Sequence, residues 1–191
     1  NELAVLAGQR SGKSIVTAMA STYITHRILK MQKPGEIYNV GKGQILHGTF
    51  VALTAGQAKD TLWDPYYGYL MESPWFKKYH ALLDHYQRKY HQEFYKLKDT
   101  FVLYKHRKLT VYPAGPDKRV LRGRTRIFGA IDEIGWFDNS KDNKKIKIDA
   151  NGVYEAVVRS LATVRSSEER LIEMGFDQAM TAHMLNISSP S

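Results

Sequence analysis

Residues 7 to 14, Ala7-Gly8-Gln9-Arg10-Ser11-Gly12-Lys13-Ser14, constrain what this chain can fold into more than any other segment. They follow Leu3 to Leu6, a short unbroken apolar run of the kind presented by a strand buried on both faces. From Lys13 the pattern changes to helical period, with Ile15, Met19 and Tyr23 on one face and Val16, Ala20, Ile24 and Ile28 beside it. A buried strand, a turn of small residues and a helix opening on Gly-Lys-Ser make the setting of a phosphate loop. The eight residues fit the Walker A pattern except at Ala7, which replaces the first glycine. Small residues let backbone N–H groups close around a phosphate chain, and the helix turns its positive N-terminal end to the same anion. In that pattern Lys13 neutralises the β- and γ-phosphates of ATP, and the Ser14 hydroxyl ligates Mg²⁺. Arg10 either reaches phosphate or braces the loop.

A second segment completes the chemistry. Ile127-Phe128-Gly129-Ala130-Ile131 is an apolar strand that runs into two adjacent carboxylates, Asp132 and Glu133. In a parallel sheet the carboxyl ends of the strands face the ligand crevice. Asp132 there holds the magnesium through water. Glu133 orients and deprotonates the attacking water, a role typically worth ~10²–10⁴ in rate. An adjacent glutamate separates the chain from nucleotide kinases and small GTPases. Between Lys13 and Asp132 lie an apolar strand near Phe50 to Leu53 and a pair at Phe101 to Tyr104 and Leu109 to Tyr112. From these, at least one additional strand is expected between the two nucleotide-binding strands. The predicted fold is therefore α/β: a three-layer P-loop NTPase, its mainly parallel sheet covered by helices on both faces, in the additional-strand catalytic-glutamate class. Helicases, AAA+ proteins and packaging motors share that class.

The remaining segments fit one domain over residues 1–191. Thr54 to Gln57 lead into a helix, and Pro65 and Pro74 break the stretch from Lys59 to Tyr90 into pieces. The aromatic residues crowded there, Trp63, Tyr66, Tyr67, Tyr69, Trp75, Phe76 and Tyr79 among them, could stack on bases, but at roughly helical spacing they read first as core. Asp138 to Gly152 is polar, lysine-rich and aperiodic, and is expected to be a loop. Val153 to Val164 is a helix, Ser166 with Glu169 suits a capping box for another, and Met184 to Ile187 is a strand. His80, His85 and His91 are expected on helix surfaces, and no transition-metal site is assigned.

Cysteine is absent from the 191 residues, which excludes a disulfide scaffold, a zinc ribbon and a thiol nucleophile. No run approaches the roughly 18 apolar residues of a membrane span, so no membrane partner is expected. The formal net charge of +9 points to an acidic partner, nucleic acid first, with the lysines at 144, 145 and 147 as candidate contacts. Just before the acid strand, Arg119, Arg122, Arg124 and Arg126 place four arginines in eight residues. They make a DNA-facing surface, an arginine finger or a solvated basic connector. Ser188 and Ser189 follow the last strand, where hydroxyls could sense a γ-phosphate or serve an ordinary loop.

In chain order the sequence offers Ala7 to Ser14, Thr54-Ala55-Gly56-Gln57-Ala58, Leu121-Arg122-Gly123, Ile131-Asp132-Glu133-Ile134-Gly135-Trp136-Phe137 and Ile187-Ser188-Ser189-Pro190. This series resembles the ATPase region of the large terminase subunit of tailed bacteriophages, over nearly the whole chain. The resemblance implies a homo-oligomeric ring that drives double-stranded DNA into a procapsid using ATP. Its implied partners are the portal protein and the small terminase subunit, in the cytoplasm of an infected host cell and transiently at the portal. It matches Lys13 and Ser14 to the Walker A lysine and hydroxyl, and Asp132 and Glu133 to the metal-binding aspartate and catalytic glutamate. It matches Arg122 to an arginine finger acting on the adjacent subunit, and Ser188 and Ser189 to the motif coupling hydrolysis to DNA movement. The family's adenine-contacting segment and nuclease domain have no counterpart in residues 1–191, which are expected to be one region of a longer protein; DNA cleavage is not assigned. The alternative is a helicase or AAA+-like ATPase acting on another polymer.

Overall fold

A computed structural model describes residues 2–6, 12–132, 150–175 and 183–188. The chain runs β1 (Glu2–Leu6), α1 (Lys13–Lys30), a short α2 (Pro34–Ile37), β2 (Leu46–Val51) and α3 (Ala55–Ala58). A π-helical turn (Lys59–Trp63) continues into α4 (Asp64–Glu72), followed by α5 (Pro74–Tyr90), β3 (Tyr95–Lys98) and β4 (Phe101–Tyr104). Then come β5 (Leu109–Ala114), α6 (Lys118–Leu121), β6 (Arg126–Asp132), α7 (Ala150–Glu173) and β7 (His183–Ser188). The strands form one seven-stranded sheet in the order β1-β7-β6-β2-β5-β4-β3, parallel from β1 to β5 and antiparallel through β4 and β3.

Neighbouring residues of β6 show the three layers, because successive side chains of a strand point to opposite faces. Phe128 meets Phe50, with ring centroids 5.6 Å apart, and Phe50 meets Tyr66 of α4 at 5.1 Å. The buried Tyr66 hydroxyl joins Thr25 of α1 at 3.0 Å, so α1 and α4 share this face. Gly129 faces the other way. A Cβ built on it would lie 2.3 Å from Val157 Cγ1, so the missing side chain lets α7 sit directly on the strand. On the first face Gly48 does the same for the Phe128 ring, 2.4 Å from where its Cβ would be.

Several sequence expectations change here. The strand expected near Phe50 to Leu53 runs Leu46–Val51, because Leu46–Val51 pair with β5 and His47–Val51 also with β6. Ala52 and Leu53 already lead to Thr54, whose hydroxyl caps α3 by accepting from the Gln57 N–H. Pro65 breaks nothing: it lies in the first turn of α4, where a missing N–H is tolerated, and the π-helical turn carries the helix through. Pro74 does mark a break, after Ser73. In the aromatic cluster Trp63, Tyr66 and Phe76 are buried, Tyr67, Tyr69, Trp75 and Tyr79 pack half-buried against the core, and Trp63 Nε1 donates to the Asp99 carbonyl at 2.7 Å. His80 is buried instead of lying on a helix surface; it stacks on Tyr95 and Tyr104 and bonds the Tyr104 hydroxyl at 2.9 Å. Ser166 and Glu169 start no new helix, because the apolar face of α7 continues from Val153 through Val164 without interruption. Ala150 to Gly152, expected in a loop, are the first residues of that helix. On α1 the buried face is Ala18, Ser21, Ile24, Thr25, Ile28 and Leu29, whereas Ile15, Met19 and Tyr23 are exposed. Among the described residues, no helix is long and apolar enough to cross a membrane.

The tight seat of α7 makes a test of the layer packing. Gly129→Ala should destabilise the chain by about 1–3 kcal/mol through overpacking, and Val157→Ala in the same chain should recover part of that loss. Urea denaturation of the two variants and the parent measures it, and a neutral Gly129→Ala would contradict the described seat.

Candidate functional site

The additional strand is present, but it is not one of those between Lys13 and Asp132 in sequence. β2 and β5 lie on the far side of β6, and the strand inserted between β1 and β6 is β7, from the end of the chain. The β1–β7 ladder pairs Val5 with Ile187 and Leu6 with Ser188, and the β7–β6 ladder pairs Ile187 with Asp132. Asp132 therefore stands level with the carboxyl end of β1, two strand spacings away, or about 10 Å across the sheet. The phosphate loop leaves β1 at that level, and Ser188 ends the strand between them.

Gly12 ends the loop with φ 79° and ψ 11°, a left-handed conformation that glycine adopts without penalty. Its carbonyl accepts from the Val16 N–H at 3.1 Å, which starts α1. Lys13 and Ser14 are the first residues of that 18-residue helix, whose first turn holds no acidic side chain. An anion at its N-terminal end would thus meet the helix dipole with no opposing carboxylate from that turn. Asp132 is 6% exposed, in a strand whose other residues are all buried. A hydroxyl at Ser14 and a carboxylate at Asp132 are hard oxygen donors of the type that Mg²⁺ takes.

Of the site residues expected from sequence, Gly12, Lys13 and Ser14 lie at the start of α1, and Asp132 and Ser188 end β6 and β7 at the level where β1 ends. Ala7, Gly8, Gln9, Arg10, Ser11, Glu133 and Ser189 lie outside the described residues, as do the lysines at 144, 145 and 147.

Arg122 is not at this end. It lies in the turn between α6 and β6, and β6 runs seven residues from Arg126 to Asp132, roughly 20 Å of strand. An arginine side chain does not span that distance, so Arg122 lies out of reach of Asp132 in its own chain. The neighbouring arginines divide in role. Arg126, expected in a basic surface stretch, is fully buried: Nε donates to Thr49 Oγ1 at 3.0 Å and Nη1 to the Leu121 carbonyl at 2.5 Å. Burial pulls its pKa below the usual arginine value, with the nearby Tyr112 opposing. Arg124 lies over the Tyr112 ring, 5.1 Å from its centroid, and donates to the Tyr112 hydroxyl. This turn and the outer face of α7 line a cavity of about 480 Å³, to which α7 contributes Glu155, Arg159, Ser160 and Thr163. Sequence reasoning missed these residues because it read α7 from its apolar face. Their spacing of three and four along the opposite face was the available signal.

The fold and the site together define a P-loop NTPase domain of the additional-strand class. The chain belongs to the family described as the N-terminal P-loop domain of uncharacterized protein MJ0330, whose model matches residues 1–186. No curated protein matches the chain significantly. Among solved structures, the large terminase from a thermophilic bacteriophage is similar over 99% of this chain and 34% of its own, with 12% identity and a TM-score of 0.50. The large terminase ATPase domain of a Thermus phage is similar over 100% of this chain and 59% of its own, with 16% identity and a TM-score of 0.45. This chain thus spans about a third of the first of these terminases. At these identities the likeness is one of fold.

The left-handed Gly12 gives a local test. Nothing lies within 4 Å of a Cβ built there, so the cost of a side chain is conformational alone. Gly12→Ala should lower stability by about 1–2 kcal/mol, and Gly12→Asn by less, since asparagine tolerates this region. Denaturant melts check it; equal stabilities would mean that Gly12 is not held left-handed in solution.

Proposed function

We propose that this domain is an ATPase motor of the terminase large-subunit kind, coupling ATP hydrolysis to translocation of double-stranded DNA into a procapsid. The observation that carries the reading is the register that sets Asp132 level with the end of β1, with β7 between them. That arrangement supports a site in which a triphosphate and a carboxylate pair meet at one sheet edge, and the likeness of fold to the thermophilic phage's large terminase supports the motor class.

In this reading the amides of residues 8 to 14 bind the phosphate chain, and Lys13 offsets the charge of its β- and γ-groups. Ser14 and Asp132 hold Mg²⁺, which when bound supplies Lewis-acid neutralisation of the phosphate oxygens. Glu133, next in the chain after Asp132, orients the attacking water and takes its proton. Ser188 and Ser189, at and after the end of the strand between the two halves of the site, report the state of the γ-phosphate to the rest of the domain. Arg122 completes the site of a neighbouring subunit, because the length of β6 keeps it from its own. A homo-oligomeric ring follows from that assignment, with the portal protein and small terminase subunit as its partners at the procapsid in an infected cell.

Glu133→Gln should reduce ATP turnover by about 10²–10⁴ while nucleotide affinity stays close to that of the parent; equal turnover removes Glu133 from the chemistry. Arg122→Ala should lower turnover of the assembled ring and leave nucleotide binding by monomers intact. A collapse of monomer affinity would show that Arg122 acts within its own subunit or on folding.

A further inference from the structure

The cavity at the far end of β6 is lined by residues that, Arg122 apart, the ATPase reading does not use. Three arginines, Arg122, Arg124 and Arg159, are among its lining residues, against one carboxylate, Glu155, which Arg159 Nη2 already engages at 3.0 Å. Thr125 and Ser160 add hydroxyl groups to the same walls. Its shape comes from the turn: Gly123 is left-handed at φ 72°, with open space where a Cβ would stand. Beneath it the buried Arg126 ties the turn to Thr49 and to the Leu121 carbonyl. Arg124 is held in place by the ring and hydroxyl of Tyr112, so part of the ordering cost of binding is already met. Arg122 has no bonding partner among the described residues.

The ligand that suits these walls is a phosphate, which guanidinium forks and hydroxyls recognise geometrically. Among the described residues no aromatic side chain lines the cavity to stack on a base. That favours the phosphodiester backbone of a nucleic acid over a free nucleotide, and contacts of this kind position a polymer without reading its sequence. A net charge of +9 favours the same polyanion. The location fits simultaneous occupancy, because the strand that ends at Asp132 begins beside this cavity. The helix lining it also rests by Val157 on Gly129, three residues before Asp132.

We propose that the cleft between the α6–β6 turn and α7 is a backbone-phosphate site for duplex DNA, held chiefly by Arg124 and Arg159 with Thr125 and Ser160. The assignment of duplex DNA rests on the motor reading; the phosphate chemistry of the cleft does not.

The test is fluorescence anisotropy of a labelled random-sequence duplex across a salt series. It compares the 191-residue chain with Arg159→Gln and with the Arg124→Gln/Arg159→Gln pair, and DNA-free ATP turnover is measured on the same samples. The single variant should weaken binding and flatten the log–log salt slope by about one, the double by about two, with turnover unchanged. Arg159 is 77% exposed, so the single variant folds even if losing the Tyr112 contact harms the double. A parent that does not bind the duplex, or variants with unaltered affinity and slope, would overturn the proposal. So would reduced turnover with intact DNA affinity, which would give the cleft to a neighbour's nucleotide. If the parent hydrolyses no ATP while the variants still lose DNA, the ATPase reading fails and the phosphate cleft stands.

Discussion

The parallel pairing of β7 with both β1 and β6 is the constraint on which the rest of the molecule depends. β1 has no other neighbour in the described sheet, so its place relative to the acid strand is set through β7 alone. A shift of one residue in either ladder would turn the strand's side chains to the opposite face and move Asp132 away from the level of Val5. The small and apolar residues of these strands hold the register. Gly129 admits α7 on one face, Phe128 packs with Phe50 on the other, and Met184, Leu185 and Ile187 are buried between. The polar chemistry at the strand ends is thus positioned by packing that carries no chemistry of its own.

The same strand ends in two different polar settings. At its carboxyl end β6 carries Asp132 in register, through Ile187, with Val5 of β1; at its amino end the buried Arg126 anchors the turn that carries Arg122 and Arg124. A parallel sheet makes this division natural. Helix N-termini and strand carboxyl ends gather on one edge and leave the opposite edge free for other partners. α7 spans both, since it follows the acid strand, packs on its middle and lines the cleft at its start.

Much of this is legible in the sequence, because local signals carry it. Gly12-Lys13-Ser14 after an apolar run, and Asp132 after Ile127 to Ile131, mark strand ends by pattern alone, and the structure ends the acid strand level with the end of β1. The additional strand is also expected from sequence, yet its identity is not. Sequence order suggests β2, β4 or β5, whereas β7 fills the gap, because spatial order in a sheet is set by crossovers that no local pattern encodes. The shift of β2 to Leu46–Val51 has a similar cause. His47, Gly48 and Thr49 look poorly apolar, but their backbone pairs on both sides and Phe128 covers Gly48. Sequence pattern puts His80 and Arg126 on the surface because burial of a polar residue depends on partners distant in sequence, Tyr104 for one and Thr49 for the other.

The central claim, that one edge of the sheet is the nucleotide site, is tested most directly by mapping amide chemical shifts of the isotope-labelled chain on titration with ATP and Mg²⁺. The account predicts the largest changes at Gly12 to Ser14, Asp132 and Ser188, with the amides of Arg122 to Arg126 little affected in the monomer. Changes centred on the α6–β6 turn, or none at Gly12 to Ser14, would contradict it.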